Sequence, residues 1–328
     1  MLWWRMIRTA ALLLSVAFSA MLHAAPKVVA YVPNWIELKS FAETIDYAKL
    51  THINLAFENP VNDDGDLSFH AGNQIVIDKA KAHGVKVLIS IGGGSASDDR
   101  ILKPRYFSLL SNGRRAGFVA KLAAYVQQNQ FDGLDVDIEG PSINGDYGAF
   151  IHELAAVLRP SGKLLTAALS QGYGGDRVPD SVFHDFDFIS IMAYDATGYW
   201  APDSPGPHSS LEFSRECVKY WLGRGLARDK AVLGVPFYGY GFGAAAKKRD
   251  YPYRDIVKDF PGAEKSDQAG TTVYYNGEKT IRSKSESVLQ DGLAGIMIWS
   301  LDNDAPGEKS LLRVIHAALH PDQKQPAR

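Results

Sequence analysis

Cysteine is nearly absent from this chain: Cys217 is the only one in 328 residues, so no internal disulfide can form and stability must come from a packed core. Cys217 itself falls in an apolar-periodic segment with Phe213, Tyr220 and Trp221, where it reads as core. Charge of one sign is also missing. A net charge of −2 gives no field that would gather nucleic acid or anionic lipid. A bilayer crossing needs roughly 20 apolar residues, and the run from Ala10 to Leu22 is shorter. No glycine-rich phosphate loop opens a helix after the first strand, which removes the signature of an open dinucleotide-binding sheet. The nine histidines include no His-Glu-x-x-His pattern, so a zinc site has no support at this level, and no metal or cofactor is expected. There is no internal repeat and no low-complexity linker.

What is present begins with processing. Arg5 and Arg8 precede the apolar run, and the small residues Ala24 and Ala25 follow it. That is the order of a secretory signal peptide, 1–24, with cleavage expected after Ala24 and a secreted or periplasmic product. No cysteine follows the run, which argues against a lipoprotein anchor, and no stable membrane association is expected. With 46% hydrophobic and 22% charged residues the composition is that of a globular protein. About 300 mature residues suit one large α/β barrel better than two ordinary domains, and a monomer is expected.

Strand and helix patterns alternate along the chain. The strand-like runs are Val28–Val32, His52–Phe57, Lys86–Ile91, the acidic segment after Phe131, Leu164–Leu169, Phe188–Tyr194, Ala231–Val235 and Gly295–Trp299. Helical periodicity marks Asn73–His83, Arg114–Gln128, Asp146–Leu158 and Ser310–Leu319. Eight strands with interspersed helices predict a (β/α)8 TIM barrel over 25–320, followed by a polar tail, 321–328. The rhythm breaks from Tyr238 to about Arg282, where a strand at Thr271–Tyr275 and an Asn276-Gly277 turn predict a short insertion between strands seven and eight, over the C-terminal face.

The acidic segment, Phe131-Asp-Gly-Leu-Asp-Val-Asp-Ile-Glu-Gly140, is the one with chemistry in it. Leu134, Val136 and Ile138 alternate with Asp135, Asp137 and Glu139, so the three acids share one face of a strand. Carboxylates crowded on an interior strand repel one another and raise the proton affinity of at least one. A carboxyl group held protonated near neutral pH is what a general acid needs. In a barrel the active site lies at the C-terminal strand ends, which here carry Tyr31, Phe57, Ser90 with Gly92 and Gly93, Asp137 with Glu139, Tyr194 with Asp195, Tyr238 and Trp299. Carboxylates, hydroxyls and aromatic faces together suit a sugar. Aromatic rings cover pyranose faces, and carboxylates accept the hydroxyls.

Asp132-Gly-Leu-Asp-Val-Asp-Ile-Glu139 resembles the catalytic signature of glycoside hydrolase family 18, the chitinase family. Ser90-Ile-Gly-Gly93, Met192-Ala-Tyr-Asp195 and Gly295-Ile-Met-Ile-Trp299 resemble its third, sixth and eighth strand motifs, in the family's order, over about Lys27 to Leu319. The resemblance implies a retaining, substrate-assisted hydrolysis of β-1,4-linked N-acetylglucosamine glycans. Glu139 would be the general acid/base, Asp137 would hold the 2-acetamido N–H, Asp135 would share a proton with Asp137, and Tyr194 would donate to the acetamido oxygen. Asp195 would touch a sugar hydroxyl or amide and Trp299 would floor the cleaved unit. Tyr31, Phe57, Gly93 and Tyr238 complete the substrate-binding set, with Asp132 and the Ser90 motif as support. Two departures stand out. The insertion is short, predicting a shallower cleft, and Tyr238-Gly-Tyr240 lacks the arginine many members carry there. No separate carbohydrate-binding module is visible. An endo-β-N-acetylglucosaminidase, a cell-wall glycan hydrolase and a non-catalytic lectin share the fold, and a Mg²⁺-dependent hydrolase is the metal alternative. Retention of Glu139 opposes the lectin.

Overall fold

The computed structural model describes residues 25–322, so the expected signal peptide and all but the start of the polar tail lie outside the described residues. Seven parallel strands come first: β1 (Lys27–Pro33), β2 (His52–Ala56), β3 (Lys86–Gly92), β4 (Gly133–Asp137), β5 (Leu164–Leu169), β6 (Phe188–Ile191) and β7 (Ala231–Pro236). A small sheet follows, made of β8 (Tyr238–Gly241), β9 (Tyr251–Pro252), β10 (Gln268–Ala269) and β11 (Val273–Tyr274), before β12 (Gly295–Trp299). The barrel closes in the order β1-β12-β7-β6-β5-β4-β3-β2, with β12 parallel to both β1 and β7.

Alternation along the strands sorts the core into two shells. Val28, Ala30 and Val32 of β1 point outward to the helix layer, whereas Val29 and Tyr31 point into the barrel. In β4 the same rule sends Leu134 and Val136 outward, with Ile138 beyond, and so turns the acids inward. The outer layer is built from α1 (Leu38–Thr44), α2 (Asn73–Ala82), α3 (Gly94–Asp98), α4 (Leu102–Leu110), α5 (Arg115–Gln128), α6 (Tyr147–Leu158), α7 (Leu211–Gly223), α8 (Tyr253–Asp259), α9 (Glu278–Gln290) and α10 (Leu311–Leu319). Cys217 is fully buried in α7, as its periodicity implied, and burial pushes its thiol up to about 12.

The insertion is where local reading fails. Its hairpin, β10 with β11, turns through Gly270 at φ +55, not at Asn276-Gly277. Gly277 instead caps α9, which begins at Glu278, so the inserted stretch ends a few residues earlier than expected. Asn276 is drawn into the interior, where its amide donates to Ser209 O at 2.8 Å and its oxygen accepts from Lys284 Nζ at 2.7 Å. A turn signal reports local backbone freedom only; here two buried partners, Lys284 in the following helix and Ser209 67 residues away, decide the outcome. β6 also stops at Ile191, so Met192 to Asp195 leave the sheet at its C-terminal end. Among the described residues no helix is long and apolar enough to cross a membrane.

Candidate active site

The site is assembled around β4. Glycines let neighbouring backbones approach it: a Cβ on Gly133 would lie 2.3 Å from Leu164 O. Gly92, at φ +102, would put one 2.3 Å from Asp137 O. Register sets Ser90 beside Asp135 and Asp135 beside Thr166. As a result three hydroxyls converge on the Asp135 carboxylate, from Tyr31 at 2.6 Å, Ser90 at 2.7 Å and Thr166 at 2.5 Å. Asp137, one layer up, is buried too, and its Oδ1 has no hydrogen-bond partner.

These environments separate the acids. Burial raises both aspartates, Asp137 well above the usual carboxylate range because Glu139 and Asp135 add repulsion and no donor answers. Burial also raises Asp135, but three O–H donors work against it and favour its charged form. The hydroxyl donors thus favour charge on Asp135 over charge on Asp137. Glu139 is pushed up to about 7 by burial and by the charges of Asp195 and Asp98. It stands, half-buried, at the base of an open cleft of about 710 Å³ that Met192, Tyr194, Asp195 and Tyr240 also line.

Behind Tyr194, Asp195 sits in the left-handed region at φ +62, an unusual conformation for a non-glycine residue that its contacts must hold. Its Oδ1 accepts from Tyr238 OH and from Tyr240 OH, the latter at 3.0 Å. His208, fully buried, places Nε2 3.2 Å from Tyr238 O, so that nitrogen donates. Its Nδ1 faces Asp195, 3.4 Å from the backbone N and 3.3 Å from Oδ1. Tyr238 thus braces Asp195 from below. On the other side of the acids the rings form a series: Tyr31 meets Trp299 edge-on at 5.4 Å, Trp299 stacks on Phe57 at 5.8 Å, and Phe57 stacks on Trp35 at 6.2 Å. Gly93 lies buried under this series; its N–H donates to Asp137 O at 2.7 Å, and a Cβ there would strike the Phe57 ring. Asp132 accepts from the Val87 N–H at 2.8 Å at the other end of the strand.

Sequence reasoning thus gathers Glu139, Tyr194 and Asp195 in one cleft, with Asp137, Asp135 and Tyr238 behind them and Tyr31, Phe57 and Trp299 beside them. It misses Trp35, Tyr199, Trp200, His208 and Arg249. Trp35, Tyr199 and Trp200 are large exposed rings on loops, 64%, 46% and 50% accessible, and adjacent aromatics in a polar loop were the readable signal. Arg249 lines the cleft with its guanidinium 5.0 Å from the centre of the Tyr199 ring, so an arginine does reach the cleft, from another position of the insertion. Nothing local marks Arg249 or His208.

Fold and site together define a (β/α)8 barrel with an acidic, aromatic-walled cleft at the carboxyl ends of its strands. The chain belongs to glycosyl hydrolases family 18, whose family model matches residues 27–304. Among solved structures, the GH18 chitinase ChiB from the chitin utilization locus of Flavobacterium johnsoniae is similar at 34% identity and a TM-score of 0.85, covering 91% of this chain and 95% of that one. A chitinase from Bacteroides thetaiotaomicron is similar at 25% identity and a TM-score of 0.81, covering 93% and 100%. The Endochitinase of Brugia malayi is 28% identical over 74% of this chain and 60% of its own length. The probable chitinase 10 of Drosophila melanogaster is 28% identical over 85% of this chain, which spans 15% of that protein. The chain therefore covers less than two thirds of either of these two relatives.

Proposed function

We propose that this protein is a secreted or periplasmic, endo-acting glycosidase that hydrolyses β-1,4-linked N-acetylglucosamine glycans, chitin or its oligomers, with retention and with the substrate's own acetamido group as nucleophile. The observation that carries the reading is Glu139, a carboxyl group raised to about 7 at the base of the one cleft that also holds Tyr194 and Asp195. Glu139 gives its proton to the glycosidic oxygen as the bond from that oxygen to the anomeric carbon breaks. The acetamido carbonyl oxygen closes on the anomeric carbon, forming an oxazolinium ion. Asp137, buried and with an unpartnered oxygen, takes the acetamido N–H, and its proton moves toward Asp135 as positive charge develops. Glu139, now a carboxylate, removes a proton from water, which attacks the anomeric carbon and reopens the ring. Tyr194 holds the acetamido oxygen, Trp299 floors the cleaved unit, and Phe57, Trp35, Trp200 and Tyr240 offer faces to neighbouring sugars. The chitinase names of the relatives support the substrate class.

The test is the acetamido group itself. An ordinary retaining glycosidase needs a second carboxylate about 5–5.5 Å from the acid. A substrate-assisted one should cleave N-acetylglucosamine oligomers, fail on glucose or de-acetylated oligomers of equal length, and be inhibited competitively by a thiazoline analogue of the cyclic intermediate. Comparable rates on cello- and chitooligomers with no thiazoline inhibition would defeat the reading. Product analysis on chitin oligomers, peptidoglycan and a high-mannose glycoprotein assigns the natural glycan among the members of the class.

A further inference from the structure

At the opposite end of the barrel from the cleft, two histidines and a buried aspartate converge. His152 projects from the middle of α6, and His184 and Asp185 lie in the turn that leads into β6 at its N-terminal end. His152 Nδ1 faces Asp185 Oδ2, and His184 Nε2 lies 3.3 Å from Asp185 Oδ1. The three ligand atoms all lie within 4.8 Å of one another. We propose that His152, His184 and Asp185 form a binding site for a zinc-type divalent cation, separate from the catalytic cleft.

The donor set argues for that class of ion. Two neutral imidazoles and one carboxylate match the borderline preference of Zn²⁺, whereas Mg²⁺ and Ca²⁺ require oxygen ligands throughout. A tetrahedral ion with bonds of about 2.0–2.1 Å spaces its ligand atoms about 3.3–3.4 Å apart, the spacing already seen between His184 and Asp185. The remaining adjustment falls on His152, whose Nδ1 now shares a hydrogen bond with Asp185 Oδ2 and must draw back from it; its side chain is 44% accessible and can move, while Asp185 is 7% accessible and fixed. The turn that carries two of the three ligands is held without the ion by Lys230, whose Nζ donates to His184 O at 3.0 Å and to Phe186 O at 2.6 Å. Arg159 is the competing cation, 4.0 Å from Asp185 Oδ1 but largely solvent-exposed, so it can swing away when an ion enters. The ion would tie α6 to the start of β6 and complete its shell with water.

The experiment uses the full chain, stripped with EDTA and dialysed, and titrated with zinc chloride alone by calorimetry, with Co²⁺ absorption as the readout of tetrahedral nitrogen–oxygen ligation. The expected result is one Zn²⁺ bound per chain, no heat with Mg²⁺, and affinity at least about tenfold weaker in His184→Ala, whose unfolding temperature in EDTA equals that of the unaltered chain. His152→Ala should weaken binding likewise, and Arg159→Gln should strengthen it. His316 and His320, whose rings stack at 4.4 Å, are a control histidine pair, and His316→Ala should leave the titration unchanged. Absence of zinc binding, or unaltered affinity in His184→Ala, overturns the proposal. Glycan hydrolysis should persist in EDTA; its loss would put the ion in the cleft and overturn the assignment as well.

Discussion

At the scale of single residues, the proposed chemistry rests on unequal treatment of three acids two positions apart. Asp135 is given three hydroxyl donors, Asp137 none, and Glu139 a half-open position beside other negative charges. Glu139→Gln should preserve fold and oligosaccharide binding, because the amide is nearly isosteric, while turnover falls by ~10²–10⁴-fold or more. Steady-state rates beside a binding titration of the variant check this, and near-normal turnover would remove Glu139 from the role of acid. Its pKa makes a second prediction with a definite sign. An acid must be protonated to act, so activity should decline as pH rises through about 7. The Asp98 charge helps hold that value up. Asp98→Asn, at an exposed position on α3, should therefore lower the pKa and move the alkaline limb of the pH–rate profile to lower pH. An unmoved limb, or one displaced upward, would show that the limb belongs to another group.

At the scale of elements, the loop after β6 and the segment entering α9 are joined by one buried lysine from the middle of α9, whose pKa burial lowers to about 7. Lys284 is fully buried and donates to Ser209 O, Ser209 Oγ and Asn276 Oδ1, each at 2.7 Å. Ser209 Oγ in turn donates to Ala193 O at 2.6 Å, one residue before Tyr194. The loop that positions His208 and so Asp195 is thereby fastened to the helix layer. Lys284→Met, similar in length and apolar, leaves Ser209 Oγ and Asn276 Oδ1 without this donor, while Ser209 O keeps the Asn276 amide, and should lower stability by about 1–3 kcal/mol. Denaturant unfolding measures this directly, and a change under a few tenths of a kcal/mol would mean the acceptors find other donors. Activity should fall more than stability implies if the fastening reaches Asp195.

At the scale of the molecule, the barrel places its two chemical ends apart, with the acids at the carboxyl ends of the strands and the histidine pair at the amino ends. The N-terminal segment makes a prediction of its own. Expressed from Met1 in a bacterium that exports proteins, the chain should be recovered beginning at Ala25, read by N-terminal sequencing. Recovery of an intact Met1 terminus in the membrane fraction would turn the segment into an anchor. β1 begins two residues after that expected cleavage point, at Lys27, and its first hydrogen bonds already pair it with β12, so cleavage there would leave the barrel whole.

Much of the fold was legible because alternation is a strong code. Val28–Val32, Lys86–Ile91 and Leu164–Leu169 are strands wherever they sit, since β-branched and aliphatic runs bounded by glycine and polar residues have few other uses. The inward face of Asp135, Asp137 and Glu139 follows from the same two-residue period. Chain order alone therefore determined the barrel, the acid column and the strand-end aromatics. It did not determine which acid keeps the proton. That depends on Tyr31, Ser90 and Thr166, three residues from three other strands whose hydroxyls meet Asp135 only when the barrel closes. The same holds for the convergence of His152 with His184 and Asp185, for Arg249 entering the cleft, and for Asn276 turning inward rather than making a hairpin. Each is a pairing between segments distant in the chain, fixed by the burial and charge that only tertiary packing supplies.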